Sequence, residues 1–120
     1  MEEGYPFDIQ KPWGGFRQFT KDAPTTVKLI IVKPNEILSL QSHKKRSEFW
    51  RVVSGSGFFE VNGLGTEVKA GDEMEVALGA KHRMAGGADG MEILEISFGE
   101  FDEEDIVRYE DKYGREGTSK

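Results

Sequence analysis

Short apolar stretches recur along the chain, separated by Gly, Pro, Asn and Asp, and most of them alternate apolar with polar residues. VKLIIVK (27–33) is rich in branched residues and stops at Pro34-Asn35, a turn pair. EILSLQSH (36–43) sets Leu38 and Leu40 against Ile37, Ser39, Gln41 and His43. EFWRVV (48–53) runs into SGSG, FFEVN (58–62) into Gly63, and TEVK (66–69) into Ala70-Gly71-Asp72. EMEVA (73–77), HRMA (82–85) and MEILEIS (91–97) follow, the last two separated by a glycine-rich turn. Side chains alternate across a strand, so each stretch predicts a strand with one inward face. Residues 16–19 add a short strand to an otherwise irregular opening that holds Pro6, Pro12, Gly14, Gly15 and Pro24. About eight or nine strands at roughly 8–12 residue spacing predict an all-β sandwich or barrel. No long stretch repeats with the period of a helix. Gly55, Gly57, Gly63 and Gly71 read as turn residues.

FDEEDIVRYEDKYGR (101–115) is acidic with spaced apolar residues, and predicts short helical turns or an extended arm on the barrel. EGTSK, at the end, predicts disorder. One domain is expected over 1–120, with its core at about 11–115, because no repeat, linker or second unit stands out. A net charge of -6 argues against binding a nucleic-acid backbone, yet local cations still suit a small phosphorylated ligand. With no Cys there is neither a disulfide framework nor a thiolate metal site. MEEGYPFDIQ lacks the features of a signal peptide, and no apolar run is long enough to span a membrane. The expectation is a soluble, cytoplasmic chain.

The chemistry concentrates in QSHKKRSEFW (41–50). Strand parity points Gln41 and His43 the same way, and a tight connection brings Glu48 back to the same spot. His82, the other of two histidines, opens a later strand. Two imidazoles, a carboxylate and an amide oxygen suit Zn, Mn, Fe, Co or Ni, with room for water or substrate. A solvated histidine beside Lys44, Lys45 and Arg46 is the plain alternative, and spacing leaves both open.

LSLQSHKKRSEFW (38–50) resembles the first cupin motif in the form carried by type II mannose-6-phosphate isomerases. KPWGGF (11–16), VKLIIVKPNE (27–36), LGAKHRM (78–84) and DIVRYEDKYGR (105–115) resemble further motifs of that family, in the same order, so the likeness covers 11–115. The resemblance implies a small cupin jelly-roll barrel with an irregular N-terminal arm and a short acidic tail. It implies one divalent metal ion, zinc first among the candidates, held by Gln41, His43, Glu48 and His82. It also implies interconversion of mannose 6-phosphate and fructose 6-phosphate. Lys44 and Lys45 stand in a run where the family has histidines, Leu29 where it often has a basic residue, Lys11 for an arginine and Leu78 for a proline. These departures spare the metal ligands and bear on sugar choice and catalysis. The family's usual nucleotidyltransferase partner has no counterpart in these residues.

Isomerisation through an enediol needs a proton carrier and a phosphate anchor. Lys45 is the expected carrier, if nearby charge lowers its pKa. Arg115 is the expected anchor and catalytic aid, with Lys28, Lys45 and Arg46 as helpers, since a guanidinium forks onto phosphate oxygens. Trp50 shares the face of Glu48 and is expected in the core, while Trp13 and Phe16 are expected to close the barrel end. Two other functions fit: a metal-dependent enzyme of different chemistry, such as an oxygenase, and a non-enzymatic cupin that binds a sugar or effector. By fold analogy the expected partner, besides a phosphosugar, is a second copy of the chain.

Overall fold

The computed structural model describes residues 6–116. The stretch EGTSK, for which disorder is expected, lies outside the described residues apart from Glu116. The described residues form an all-β jelly-roll barrel without a helix, and hence without one long and apolar enough to cross a membrane. In chain order the strands are β1 (Phe7–Lys11), β2 (Gly14–Gln18), β3 (Thr25–Val32), β4 (Leu40–Ser42), β5 (Arg46–Val61), β6 (Leu64–Lys69), β7 (Glu73–Val76), β8 (His82–Gly99) and β9 (Val107–Glu110).

Two long strands organise the barrel. β5 and β8 pair antiparallel from Arg46↔Gly99 to Val61↔His82, with irregularities between Val52 and Ser54 and between Gly55 and Gly57. SGSG and the glycine-rich run before Met91 therefore lie within strands rather than at chain reversals. There the ladder bends, and it needs glycine: Gly55 sits at φ 77°, and a Cβ on Gly57 would run into the carbonyl of Ala85. Asn62-Gly63, at φ 51° and 82°, is the true hairpin turn into β6. Both residues need the left-handed region, which Asn and Gly tolerate best.

Cross-strand register sorts the interior into rows. Ile30, Ile93 and Val52 line up across β3, β8 and β5. The next row is Lys28, Glu95 and Trp50, and the one beyond is Thr26, Ser97 and Glu48. The barrel is thus apolar at one end and polar at the other. The apolar end holds Val52, Phe59, Met84, Met91 and Ile93, all buried. A second cluster, Phe49, Ile96 and Phe98 with Phe19 against it, lies on the opposite face of the same strands.

The opening segment is more regular than expected, because β1 and β2 pair as a hairpin, Phe7↔Gln18 to Lys11↔Gly14. Its base is held by Arg17 on Glu73 at 2.8 Å and by Phe19 against Phe49. Its tip is not a plug: Trp13 is 74% exposed and Phe16 44%. The expectation that they close the barrel is corrected, since the hairpin holds them away from the interior. EILSLQSH contributes only the three residues of β4 and a bridge from Ile37 to Ala85.

Candidate metal centre

At the polar end, β4 and its exit supply Gln41 and His43, β5 supplies Arg46, Glu48 and Trp50, and β8 supplies His82 and Glu95. They border a cavity of about 490 Å³ together with Lys28, Arg83, Phe101, Glu103, Ile106 and Arg108. His43, Glu48 and His82 are buried, and one ligand atom from each lies within 4.8 Å of the others. Nε2 of His43 is 3.4 Å from Glu48 Oε2, and Nε2 of His82 is 3.6 Å from Glu48 Oε1.

The backbone fixes both tautomers. His43 Nδ1 lies 2.7 Å from the carbonyl of Asp105, and His82 Nδ1 lies 2.9 Å from the carbonyl of Ala80. A carbonyl only accepts, so Nδ1 carries a proton in each ring and Nε2 is the ring atom turned toward Glu48. Nε2 of His82 is buried without a hydrogen-bond partner among the described residues. Both Nε2 atoms and the Glu48 carboxylate converge in one buried space, with the Arg46 guanidinium at its edge. The donor set of two imidazoles and one carboxylate therefore fits a divalent ion such as zinc. Gln41 borders the same cavity, beside His82 by register.

Neighbouring side chains hold these groups in place, and an ion on His43 Nε2 would take the position of the Arg46 contact. Trp50 Nε1 donates to Glu48 Oε1 at 2.9 Å. Arg46 donates to His43 Nε2 at 3.2 Å and to Glu48 Oε2 at 3.4 Å. Burial holds the His43 imidazolium below its ordinary range, which keeps the ring neutral. Burial pushes the Glu48 carboxyl up, but His82, a hydrogen bond from Glu95, His43 and Trp50 together carry it below the usual carboxylate range. Glu95 goes the other way, to about 8, through burial, the charge of Glu48 and the proton it donates to Glu48.

The cations expected at a phosphate divide into two groups. Lys28 and Arg46 border the cavity, stacked on the ring of Phe101 at 4.4 and 4.3 Å. Arg115 does not, because its guanidinium is drawn onto the Asp111 carboxylate at 2.6 Å beside a separate depression. Lys45 is corrected as well. Its side chain is 47% exposed, lies on Asp102 at 3.3 Å, and does not border the cavity. The hydrogen bond to Asp102 and the charge of Glu100 raise its pKa, opposite to what a carrier needs. Sequence reading missed Glu95 and Arg108. Glu95 shares strand parity with Met91 and Ile93, a carboxylate on an apolar face. Arg108 comes from β9, which pairs with Gln41.

With this geometry in hand, comparison with known proteins is decisive on kinship. Residues 3–111 match the family described as mannose-6-phosphate isomerase C-terminal. The chain belongs to that family. It is 34% identical over 110 residues to the mannose-1-phosphate guanylyltransferase ManC of Salmonella typhimurium, covering 90% of this chain and 23% of that one. It is 40% identical over 112 residues to the xanthan biosynthesis protein XanB of Xanthomonas campestris pv. campestris, covering 89% and 23%. This member of the isomerase C-terminal family thus spans about a quarter of the length of those relatives. A cupin protein from Bacteroides fragilis has the same fold, with TM-score 0.59 and 20% identity over 82% of this chain and 81% of that one.

Proposed function

We propose that the chain is a metal-dependent aldose–ketose isomerase that interconverts mannose 6-phosphate and fructose 6-phosphate. The observation that carries this reading is the triad of His43, Glu48 and His82, opening into a cavity walled by Lys28, Arg46 and Arg108, in a chain of this family. His43, Glu48 and His82, with Gln41 beside them, would hold a divalent ion, which would supply Lewis acidity for the reaction. The chain's own residues do the rest. Lys28, Arg46 and Arg108 attract the phosphate, and Arg108 offers a guanidinium to its oxygens. Glu95 is a buried carboxyl on the cavity wall outside the triad. This reading assigns it the proton that moves between C2 and C1. Walls of Ile30, Leu38 and Met84 limit water at the reacting carbons.

The test is NMR of both sugar phosphates in D2O with metal-loaded protein. Deuterium entering at C1 or C2 together with interconversion is the expected result. Binding without exchange across Zn, Mn, Co and Ni would replace this reading with a sugar-binding cupin, and turnover that depends on oxygen would replace it with an oxygenase. The cytoplasm, where sugar phosphates are held, is the proposed location. A homodimer is the proposed assembly, supported by Val27, Leu29 and Ile31 at 55–68% exposure on the outer face of β3. Sedimentation as a monomer at micromolar concentration would overturn it.

A further inference from the structure

The acidic tail folds back over the segment that leaves β4. Asp105 N–H donates to the Asp102 carbonyl at 3.0 Å, and Glu104 N–H to Asp102 Oδ1 at 3.0 Å, which closes a tight turn. From that turn Asp105 makes three bonds. Its carboxylate accepts the backbone N–H of Lys44 at 3.0 Å and of Lys45 at 2.9 Å, and its carbonyl accepts Nδ1–H of His43 at 2.7 Å. Phe101, on the same stretch, stacks against Lys28 and Arg46, and Arg46 Nη1 donates to the Asp102 carbonyl at 3.4 Å. Phe101, Glu103 and Ile106 border the cavity. One short stretch is therefore bound to a ring of the triad, to the backbone beside that ring, and to the cavity wall.

We infer that Asp105 is a positioning residue for the metal: a clasp that sets the tautomer and tilt of His43 and couples the ion to closure of the tail over the cavity. The two histidines differ in how they are anchored. His82 uses the carbonyl of Ala80, two residues away in its own turn. His43 borrows a carbonyl 62 residues distant, so its orientation depends on the tail. The carboxylate of Asp105 fixes where that carbonyl stands, because both its oxygens are tied to the backbone following His43. An ion that needs the Nε2 lone pair of His43 then favours the clasped tail, and the clasped tail favours the ion by the same factor. The inference rests on the metal reading of the triad and not on isomerisation.

The test compares the full chain with D105A and D105N. Metal affinity comes from competition between a chelating dye and the protein for Co(II) and Zn(II). The ligand field comes from the visible Co(II) spectrum, and tail closure from amide hydrogen exchange over residues 99–106. Partners that orient a metal ligand are worth roughly 10–100-fold in affinity. D105A is expected to weaken Co(II) binding by about that factor, to alter its spectrum, and to leave tail exchange insensitive to zinc. D105N keeps one amide oxygen for one backbone N–H and is expected between D105A and wild type. In wild type, zinc slows exchange over the tail. If D105A lowers only the unfolding midpoint, with wild-type affinity and spectrum, the role is structural and the inference fails. Wild-type tail exchange unchanged at saturating zinc overturns it too, whether or not D105A folds. A wild-type chain that binds neither ion removes the metal reading and this inference together. Absence of isomerisation, with zinc still closing the tail, overturns the proposed function alone.

Discussion

Glu48→Gln is expected to abolish metal binding at the triad and, with it, the proposed isomerase turnover. Glu48 is the one anionic member of the triad, and both its oxygens face imidazole nitrogens. Gln preserves shape, and its carbonyl oxygen still accepts from Trp50 Nε1, but its amide nitrogen cannot accept from Arg46, so the substitution removes the charge and that pairing. Losing a partner outside the ligand set costs roughly 10–100-fold in metal affinity, so losing an anionic ligand is expected to cost more than about 100-fold. The metal-free chain should also unfold more easily, because the buried Arg46 guanidinium loses the carboxylate it pairs with. Equilibrium dialysis against zinc, with urea unfolding of the metal-free chain, separates the two effects. If Glu48→Gln retains zinc within a few-fold of wild type, the triad is not the metal site.

The triad was legible because its members obey local rules. His43 follows the end of β4, a short connection brings Glu48 back near the start of β5, and His82 opens β8 opposite Gln41. What was hidden depends on pairing between distant segments. The inward position of Glu95 follows from alternation, but its company, Lys28 on one side and Trp50 on the other, is set by the register of three strands. Arg108 reaches the cavity only because β9 returns to pair with β4. Lys45 was misplaced for the same reason, since nothing near it in sequence announces that Asp102 will draw its side chain outward. Glycine was read too simply: in SGSG it permits a bend inside a strand whose partner supplies the hydrogen bonds. Trp13 shows the opposite limit, for a large apolar residue gives no sign of which surface, if any, it will meet within its own chain.

Trp50→Ala is expected to cost about 3–5 kcal/mol of folding stability, a large share of the roughly 5–15 kcal/mol a domain possesses. Trp50 is 1% exposed at the boundary between the apolar and polar halves of the barrel. Its ring meets Phe59 edge-on at 4.8 Å and His82 at 5.5 Å, while Nε1 donates to Glu48 at 2.9 Å. Truncation leaves a cavity between Phe59 and His82 and takes a donor from a buried carboxylate. Trp50→Phe separates the two losses. It keeps most of the ring's packing and forfeits the donor, a loss of about 1.5–3 kcal/mol for a hydrogen bond to a charged group. Urea unfolding followed by circular dichroism measures both variants without relying on tryptophan emission. Zinc at about 100 times its Kd adds roughly 2.7 kcal/mol to any chain that binds it only when folded. Because Trp50 supports His82 and Glu48 directly, zinc at that same concentration should restore less stability to Trp50→Ala than it adds to wild type, with Trp50→Phe between them. Equal increments in all three would show that the core and the metal centre are energetically separate, with Trp50 serving only the first.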